Sequence, residues 1–254
     1  MSTIFITGAV KNTGLAIAEK FAENGYDVAV SSRRAADAEK CAEELSKKYS
    51  IKAKGYGLDL SDVDDIIRVF DEIKNDFGRL DTFVANSANL GVDMDILSVT
   101  KEQYDDLMNV NLRGTYFCCQ RAALIMKEQH KGSIVIMGSV HYKSSIWGRS
   151  LYAVSKGGLA SLTRSMAFEL GQYGIRTNYL CAGAIKTERW DNFTDEQIAA
   201  RRANWPVGLE STGEDIANGV FYLGTDLSKT VSGTDLTIDS GIETCLLPYK
   251  GGKH

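Results

Sequence analysis

Short apolar runs alternate with longer segments of helical periodicity along most of the chain. The runs are too apolar for strands with one solvated face, so they predict buried parallel strands. Seven such runs occur: TIFIT, DVAVSS, KAKGYGLDL, LDTFVAN, SIVIMGS, RTNYLCAG and DLTIDSG. Because parallel neighbours need a crossover element, the alternation predicts an α/β fold with a doubly wound parallel sheet covered by helices on both faces.

The same alternation continues without a linker, which predicts a single domain over residues 1–254. The chain has two prolines and no low-complexity stretch. Thr212, followed by Asp215, indicates the capped start of a helix. The least regular piece, residues 186–209, is polar and aromatic, and we expect it to be a mobile segment that covers a site.

Charge and cysteine usage narrow the class of protein. The net charge of −4, with lysines and arginines scattered, disfavours nucleic acid and anionic membranes as partners. Five cysteines without a CxxC spacing indicate buried thiols in a reducing compartment, and no histidine pair has metal-ligand spacing. The first residues lack a cleavage signal, and no window approaches the ~18 apolar residues of a membrane span. We expect a cytoplasmic protein without a bound metal.

Residues 7–14, TGAVKNTG, lie between the first predicted strand and the first predicted helix. Gly8 allows a sharp exit from the strand, and Gly14 lets the helix approach with its N–H groups free for a pyrophosphate. Asn12 stands at the middle position, where a positive φ is expected, and asparagine tolerates that conformation. The turn predicts a phosphate site formed by Gly8, Lys11, Asn12, Thr13 and Gly14; an ordinary strand-to-helix turn is the alternative.

The end of the second predicted strand indicates which dinucleotide binds. A carboxylate there selects the ribose 2′-hydroxyl, whereas a cation accepts a 2′-phosphate. Here Ser32 is followed by Arg33 and Arg34, and Lys11 can approach from the turn. These residues favour NADP(H) over NAD(H), although solvated surface cations would give the same pattern.

Tyr152 and Lys156 are four residues apart at a predicted helix start, so they share one helix face. A nearby ammonium lowers the pKa of a phenol from ~10 and makes it a usable acid/base. Ser139 ends a predicted strand thirteen residues before Tyr152, at the edge where such sheets bind ligands. The set predicts a proton-transfer site with a hydroxyl that orients a substrate oxygen.

These motifs together resemble the classical short-chain dehydrogenases/reductases, and the resemblance covers essentially the whole chain. It implies a Rossmann-type fold in which Tyr152 is the acid/base, Lys156 lowers the tyrosine pKa and binds the nicotinamide ribose, and Ser139 orients the carbonyl. Both Tyr152 and Lys156 would contact the cofactor. The segment NVNL supplies Asn111, which would hold a water of the proton relay.

The resemblance also implies further cofactor contacts. The adenine-contacting acid falls at Asp59-Leu60, the segment NSAN matches the family's NNAG, and AGAIKT would meet the nicotinamide carboxamide and phosphate. The additional cofactor-binding residues are therefore Asp59, Leu60, Asn86, Ala88, Gly183, Ile185 and Thr187.

Three positions depart from the family pattern: Asn12 and Asn89 replace glycines, and Ala182 stands where proline is usual. The two asparagines change backbone freedom beside the cofactor, so we expect altered affinity rather than loss. Ala182 should only loosen the chain before residues 186–209.

The segments VHYKSSIWGRS and KTERWDNF supply the candidate substrate contacts His141, Trp147, Arg149 and Trp190. An ordinary loop histidine is an equal alternative for His141. The polar and aromatic side chains of these two segments suggest that the substrate is a hydroxylated or anionic small molecule, such as a sugar or polyol derivative.

The sequence thus predicts an NADP(H)-dependent oxidoreductase that interconverts a carbonyl and a secondary alcohol on a small polar substrate. A 3-oxoacyl-carrier-protein reductase has the same site and is the nearest alternative. A non-catalytic, nucleotide-sensing protein is the alternative from another class. By resemblance we expect a homotetramer, or a homodimer, formed through long helices at about 101–130 and 152–173.

Overall fold

Seven parallel strands form one sheet in the computed structural model, which describes residues 1–245. The strands are β1 (Thr3–Ile6), β2 (Asp27–Ser32), β3 (Ala53–Gly57), β4 (Thr82–Ala85), β5 (Gly132–Met137), β6 (Ile175–Ala182) and β7 (Asp235–Ile238). Their order, β3-β2-β1-β4-β5-β6-β7, reverses between β1 and β4. Open sheets of this kind bind ligands at the carboxyl edge beside such a reversal. The predicted doubly wound parallel sheet is confirmed, and all seven predicted strands are present.

Helices cover both faces of the sheet. They are α1 (Asn12–Glu23), α2 (Ala35–Tyr49), α3 (Val63–Phe77), α4 (Lys101–Met108), α5 (Thr115–Gln129), α6 (Ser150–Leu170), α7 (Asp195–Arg202) and α8 (Gly213–Gly224). Alternate residues of a strand point to opposite faces. Phe5 of β1 packs with α3, α5 and α6, whereas its neighbours Ile4 and Ile6 pack with α1, α2 and α8. Two apolar cores therefore hold the sheet between two layers.

The predicted helix start at Thr212 is confirmed. The Thr212 hydroxyl accepts the Asp215 N–H at 3.2 Å, and the Asp215 carboxylate accepts the Thr212 N–H at 2.7 Å. This reciprocal pair is a capping box, which satisfies two N–H groups at the first turn. Within residues 1–245 no helix is long and apolar enough to cross a membrane.

The predicted continuous helix over 101–130 is interrupted. Helices α4 and α5 are joined by a π-helical segment, Asn109–Gly114. A Cβ at Gly114 would lie 2.2 Å from the Leu60 carbonyl oxygen, so the segment approaches the chain after β3 closely. Hydrophobic periodicity does not distinguish a single wider turn from regular helix, which is why the sequence missed it.

Residues 186–209 are more regular than predicted. They contain a 3₁₀ helix, Glu188–Asn192, and α7. Trp190 and Trp205 are buried with their rings 5.8 Å apart. Arg202 donates two hydrogen bonds of 2.7 Å to Glu210 and fixes the end of the segment. Aromatic contacts within the segment supply a small core that its polar sequence did not indicate.

All five cysteines are free thiols, as predicted. Four of them are buried, at positions 41, 118, 119 and 181. Burial raises the pKa of Cys118 and Cys119 far above the ordinary value, so these thiols stay protonated and behave as apolar side chains.

Candidate active site

The turn of residues 7–14, called the phosphate turn below, has the backbone that a phosphate site needs. Asn12 has φ 50°, the left-handed conformation expected for the middle position. A Cβ at Gly14 would lie 2.3 Å from the Gly8 oxygen, and a Cβ at Gly8 would lie 2.4 Å from Ser87 Oγ. Only glycine fits at these two positions. Asparagine therefore supports the turn without a middle glycine.

The loop after β4 holds the phosphate turn in place. Asn86 Nδ2 donates to the carbonyl oxygens of Thr7 and Gly8, both at 3.0 Å. The Thr7 hydroxyl accepts the main-chain N–H groups of Asn86 and Ser87 at 3.0 and 3.1 Å. Ala88 follows in the same half-buried loop. The structure thus brings together the predicted cofactor residues of the β1 and β4 ends.

The predicted 2′-phosphate region contains two arginines with different partners. Arg34 donates two hydrogen bonds, of 2.7 and 2.8 Å, to Asp37, so its guanidinium fork is occupied. Arg33 and Lys11 are exposed and form no ion pair with residues 1–245. Ser32 ends β2, and its carbonyl accepts Leu58 N–H at 2.9 Å. Arg33 and Lys11 are the cations available to a phosphate.

Asp59 and Leu60 follow β3 beside this region. The Asp59 carboxylate accepts the Ser61 N–H and hydroxyl at 2.8 and 2.7 Å. These bonds, and secondarily the charge of Arg33, lower the pKa of Asp59. Leu60 is buried below the π-helical segment. Asp59 therefore carries a negative charge near the predicted adenosine end.

Ser139 is the second residue after β5 and directly precedes a 3₁₀ helix at Val140–Tyr142. Its N–H donates to the Tyr179 hydroxyl at 3.1 Å, and its own hydroxyl accepts the His141 N–H at 3.3 Å. A Cβ at Gly138 would meet the Tyr179 ring at 2.0 Å. The missing side chain at Gly138 lets Tyr179 support Ser139 from below, a contact that the sequence did not reveal.

Tyr152 and Lys156 lie in the first two turns of α6, buried on the same face. Lys156 Nζ is 5.6 Å from the centre of the Tyr152 ring and donates to the Met137 carbonyl at 2.7 Å. Burial lowers the pKa of Lys156 to about 8. The ammonium is thus bound to the end of β5, the strand that also leads to Ser139.

The protonation of Tyr152 differs from the expectation. Burial raises the pKa of Tyr152, while the Ser139 hydroxyl and the Arg149 charge lower it. The net direction is upward, and the expected lowering by Lys156 is not seen in this arrangement. Burial of the phenol is the largest cause, and Lys156 Nζ donates its hydrogen bond to the Met137 carbonyl.

Asn111 lies in the π-helical segment and is buried. Its Oδ1 accepts Asn89 N–H at 2.7 Å, and its Nδ2 donates to the Asn89 carbonyl at 2.8 Å. The same Nδ2 is 3.2 Å from Ser155 Oγ, which donates to the Tyr152 carbonyl at 2.7 Å. This network connects the π-helical segment to α6, which bears the predicted catalytic residues and is called the catalytic helix below.

Ser155 was missed by the sequence prediction, although it is fully buried between Asn111 and Tyr152. Its spacing was a usable signal, since residues 152, 155 and 156 share a helix face. Asn89, one of the departures from the family pattern, has a structural role as well. Its Oδ1 accepts Gly91 N–H at 3.1 Å and closes the turn that Asn111 binds.

The predicted nicotinamide end lies at the carboxyl end of β6. Gly183 donates its N–H to Ile238 at 2.9 Å, and a Cβ there would lie 2.6 Å from Asp239 Cα. Ile185 pairs with Ser211, and Thr187 precedes the 3₁₀ helix of residues 188–192. Ala182 is the last residue of β6 and pairs with Ile238, so the strand runs unbroken to this point.

The four predicted substrate residues differ in their surroundings. The His141 ring centre and the Arg149 guanidinium are each 6.0 Å from the centre of the Tyr152 ring. Trp147 is 87% exposed, and Trp190 packs on Phe193 and Trp205. Trp190 is therefore a core residue of segment 186–209. Its role as a substrate contact stays a prediction. Residues 1–245 contain no cluster of ligating side chains suited to a metal.

Comparisons with known proteins agree with this geometry. The family model described as Enoyl-(Acyl carrier protein) reductase matches residues 8–243. The NADP-dependent mannitol dehydrogenase of Hypocrea jecorina is 33% identical over 249 residues, which cover 95% of this chain and 92% of that protein. The 3-oxoacyl-(acyl-carrier-protein) reductase FabG of Haemophilus influenzae is 32% identical over 237 residues, which cover 93% and 96% of the two chains.

Among solved structures, ElxO with NADP bound matches with a TM-score of 0.89 at 28% identity. The match covers 96% of this chain and 99% of that chain. Sequence motifs, sheet order and relatives agree over almost the whole length. The chain belongs to the classical short-chain dehydrogenase/reductase family.

Proposed function

We propose that this enzyme transfers a hydride between NADP(H) and the carbonyl/secondary-alcohol pair of a small, polar, sugar- or polyol-like substrate. The observation that carries the proposal is the convergence of Ser139, Tyr152 and Lys156 at the sheet edge that also bears the phosphate turn. A substrate carboxylate is compatible with the same pocket, since Arg149 lies beside Tyr152.

The chain's own residues perform the proton chemistry. NADPH, when bound, supplies the hydride. In reduction, Tyr152 gives its hydroxyl proton to the substrate carbonyl oxygen, and Ser139 donates a hydrogen bond to the same oxygen. Asn111, fixed by Asn89, holds the water that returns a proton to Tyr152. In oxidation the Tyr152 phenolate accepts the alcohol proton.

The residues present fit NADP(H). The phosphate turn leaves at Gly8 and Gly14 the space that a Cβ would fill, beside the start of α1. Arg33 and Lys11 are exposed cations near the end of β2, where no carboxylate precedes them to repel a 2′-phosphate. The cofactor prediction agrees with the NADP-dependent mannitol dehydrogenase and with NADP-bound ElxO.

The experiment compares the purified chain with Tyr152→Phe on a panel of ketoses, keto acids, apolar ketones and acetoacetyl thioesters, with NADPH and NADH. We expect NADPH-linked reduction of the polar ketones and a loss of about 10²–10⁴-fold in Tyr152→Phe. NADPH should still bind to this variant, because the phosphate turn is untouched.

Three results would contradict the proposal. Reduction of apolar ketones alone would exclude the polar substrate class, and unchanged turnover in Tyr152→Phe would remove the tyrosine from the mechanism. NADPH binding without turnover of any panel member would instead favour a nucleotide-sensing protein.

A 3-oxoacyl-carrier-protein reductase is the second candidate, and one observation favours it. The loops of residues 90–99 and 144–149 meet beside the catalytic helix, where Met94 N–H donates to Gly148 at 3.1 Å. They bear a group of exposed apolar side chains: Val92, Ile96, Leu97, Ile146 and Trp147. An acyl chain could contact these residues. A strict requirement for the thioester in the panel would select this candidate.

We further propose that the protein is a cytoplasmic homotetramer, or a homodimer, without a nucleic-acid partner. The free thiols fit a reducing compartment, and the net charge of −4 disfavours nucleic acid. Exposed apolar side chains on α5 and α6 support association of subunits: Tyr116, Leu124, Val154 and Phe168. Light scattering on the purified protein tests this assembly, and a monomer at micromolar concentration would contradict it.

A further inference from the structure

Arg149 occupies an unusual position at the start of the catalytic helix. Its guanidinium carbon is 6.0 Å from the centre of the Tyr152 ring, and its Nη1 donates to the Leu90 carbonyl. Its main chain forms an isolated bridge with Met94, and its carbonyl accepts the Ala153 N–H at 2.9 Å. The side chain is thus held by a loop on one side and by α6 on the other.

The two cations that flank Tyr152 are not equivalent. Lys156 Nζ is bound to the Met137 carbonyl and fully enclosed, and burial lowers its pKa to about 8. An arginine remains protonated at any working pH, because its ordinary pKa exceeds ~12. As the pH rises above about 8, Lys156 loses its charge, and the guanidinium group is then the cation beside Tyr152.

Other titratable groups around Tyr152 do not supply this charge. Burial and Arg149 both lower the pKa of His141, whose ring lies 6.0 Å from that of Tyr152, so the imidazole is neutral at pH 7. Burial raises the pKa of Cys181, on β6, to about 11, and it also raises the pKa of Tyr179.

Within residues 1–245, no carboxylate neutralises the charge of Arg149 by an ion pair. The main chain of Asp93 lies close to Gly148, but Asp93 forms no ion pair with Arg149 among residues 1–245. In the described part of the chain, the guanidinium beside Tyr152 is thus not paired with a carboxylate.

We propose that Arg149 is a positioning residue of the reaction, which stabilises the ionised form of Tyr152 and joins the loop at Leu90 to the start of the catalytic helix. This inference rests on the proposed function, in which the Tyr152 phenolate accepts the alcohol proton. It assigns to Arg149 part of the role that the family resemblance gives to Lys156 alone.

The proposal fixes the sign of a pH effect. Removing the cation raises the pKa of Tyr152, so the phenolate forms at higher pH. The charge of Arg149 is one of the causes that lower the pKa of Tyr152, so its removal shifts that pKa upward. We expect the rising limb of kcat against pH for polyol oxidation to move up by about one unit in Arg149→Met, which is a loss of about tenfold on that limb. Reduction at acidic pH, which uses the protonated phenol, should change little.

The experiment measures kcat and KM against pH for oxidation of a neutral polyol by the parent, Arg149→Met and Arg149→Lys. Arg149→Lys keeps the charge and should retain the parent midpoint. Arg68→Met is the matched control, because Arg68 also donates to a main-chain carbonyl, that of Gly57 at 2.9 Å, and lies on α3. Its midpoint should equal that of the parent.

An unmoved midpoint in Arg149→Met would overturn the proposal. So would a rise in KM for carboxylate substrates with an unmoved midpoint, because Arg149 would then be a substrate contact only. If Arg149→Met unfolds, the charge-preserving Arg149→Lys and a neutral Arg149→Gln provide the same comparison.

A second measurement separates this proposal from failure of the proposed function. The ultraviolet absorbance of tyrosinate is followed against pH, and the difference between the parent and Tyr152→Phe reports Tyr152 alone. The same difference is taken in the Arg149→Met background. An upward shift supports the charge effect whether or not a substrate has been found, and equal titrations would overturn it.

Discussion

The phosphate turn and the surroundings of Arg149 lie at the same edge of the sheet, but different contacts hold them. Close packing fixes the turn, where a Cβ at Gly14 would clash with main-chain atoms and the Asn86 side chain binds two carbonyl oxygens. Side-chain contacts fix the other region, where Arg149 reaches Leu90 and Tyr152. The cofactor side is therefore specified by sterics, and the proton-transfer side by charge.

This difference predicts how each region responds to substitution. A steric site fails when atoms are added, because neighbouring main chain cannot move away without distorting the strand and the helix. Removing a buried charge from an active site can make the whole protein more stable, while the catalytic activity of the site is lost. The two regions should thus give effects of opposite sign on stability.

The largest effect on stability is expected for Gly14→Ala. The new Cβ would lie 2.3 Å from the Gly8 oxygen and 2.8 Å from both Ala9 Cα and Asn86 Nδ2. Overpacking of this kind costs about 1–3 kcal/mol, and the contacts with main chain place this site near the upper end. The dissociation constant for NADPH should rise about 10- to 100-fold, measured by titration of the reduced nicotinamide signal.

Gly171→Ala is the matched control for this substitution. Gly171 has φ −54° and no atom within 4 Å of its ideal Cβ position. It should leave NADPH affinity and the unfolding midpoint in urea close to those of the parent. Equal behaviour of Gly14→Ala and Gly171→Ala would show that the turn is not sterically closed.

The second prediction concerns Lys156→Met. Lowering the pKa of a lysine to about 8 in the folded state corresponds to roughly 3 kcal/mol that disfavours its charged form. Loss of the hydrogen bond to Met137 costs about 1 kcal/mol. The variant should therefore be about 2 kcal/mol more stable than the parent at pH 7, while its turnover falls.

The pH dependence gives this prediction its control. The folded pKa of Lys156 lies below the unfolded value of ~10.5. Between those values the unfolded parent binds a proton that the folded parent lacks, so the parent gains stability as the pH rises. The advantage of Lys156→Met should shrink from pH 8 to pH 10.5 in urea unfolding. If the variant is less stable than the parent at pH 7, burial of the charged Lys156 does not destabilise the folded state.

The sequence predicted the conformation of the phosphate turn well, because the residues that determine it are adjacent in the chain. Two glycines and an asparagine within one turn predict the backbone conformation, and Asn12 indeed has a positive φ. The five inner strands were predictable because strands buried on both faces are largely apolar, whereas the edge strands β3 and β7 are only partly buried. The helix start at Thr212 was predictable from adjacent capping residues.

The surroundings of Tyr152 were harder to predict, because the contacts there join residues that are far apart in the sequence. Lys156 donates to Met137, nineteen positions earlier, and Arg149 donates to Leu90, fifty-nine positions earlier. Trp190 is buried by residues of its own segment, and Asn111 depends on a π-helical turn with no periodic signal. Residue types and spacing predicted the candidate catalytic residues but not the partners that influence their protonation.

The smallest effect, at Asn12, tests the local argument most directly. The left-handed conformation raises the free energy of a non-glycine residue by about 1–2 kcal/mol. The cost is smaller for asparagine than for alanine, because the short polar side chain of asparagine is tolerated there. We expect Asn12→Gly to match the parent in urea unfolding and in NADPH affinity, and Asn12→Ala to be less stable by about 1 kcal/mol. The two variants control for each other, because both remove the side-chain amide and only one removes the Cβ. Equal losses in both would mean that the amide, rather than the backbone conformation, is what the turn requires, and the separation between a steric and an electrostatic side would then fail at this residue.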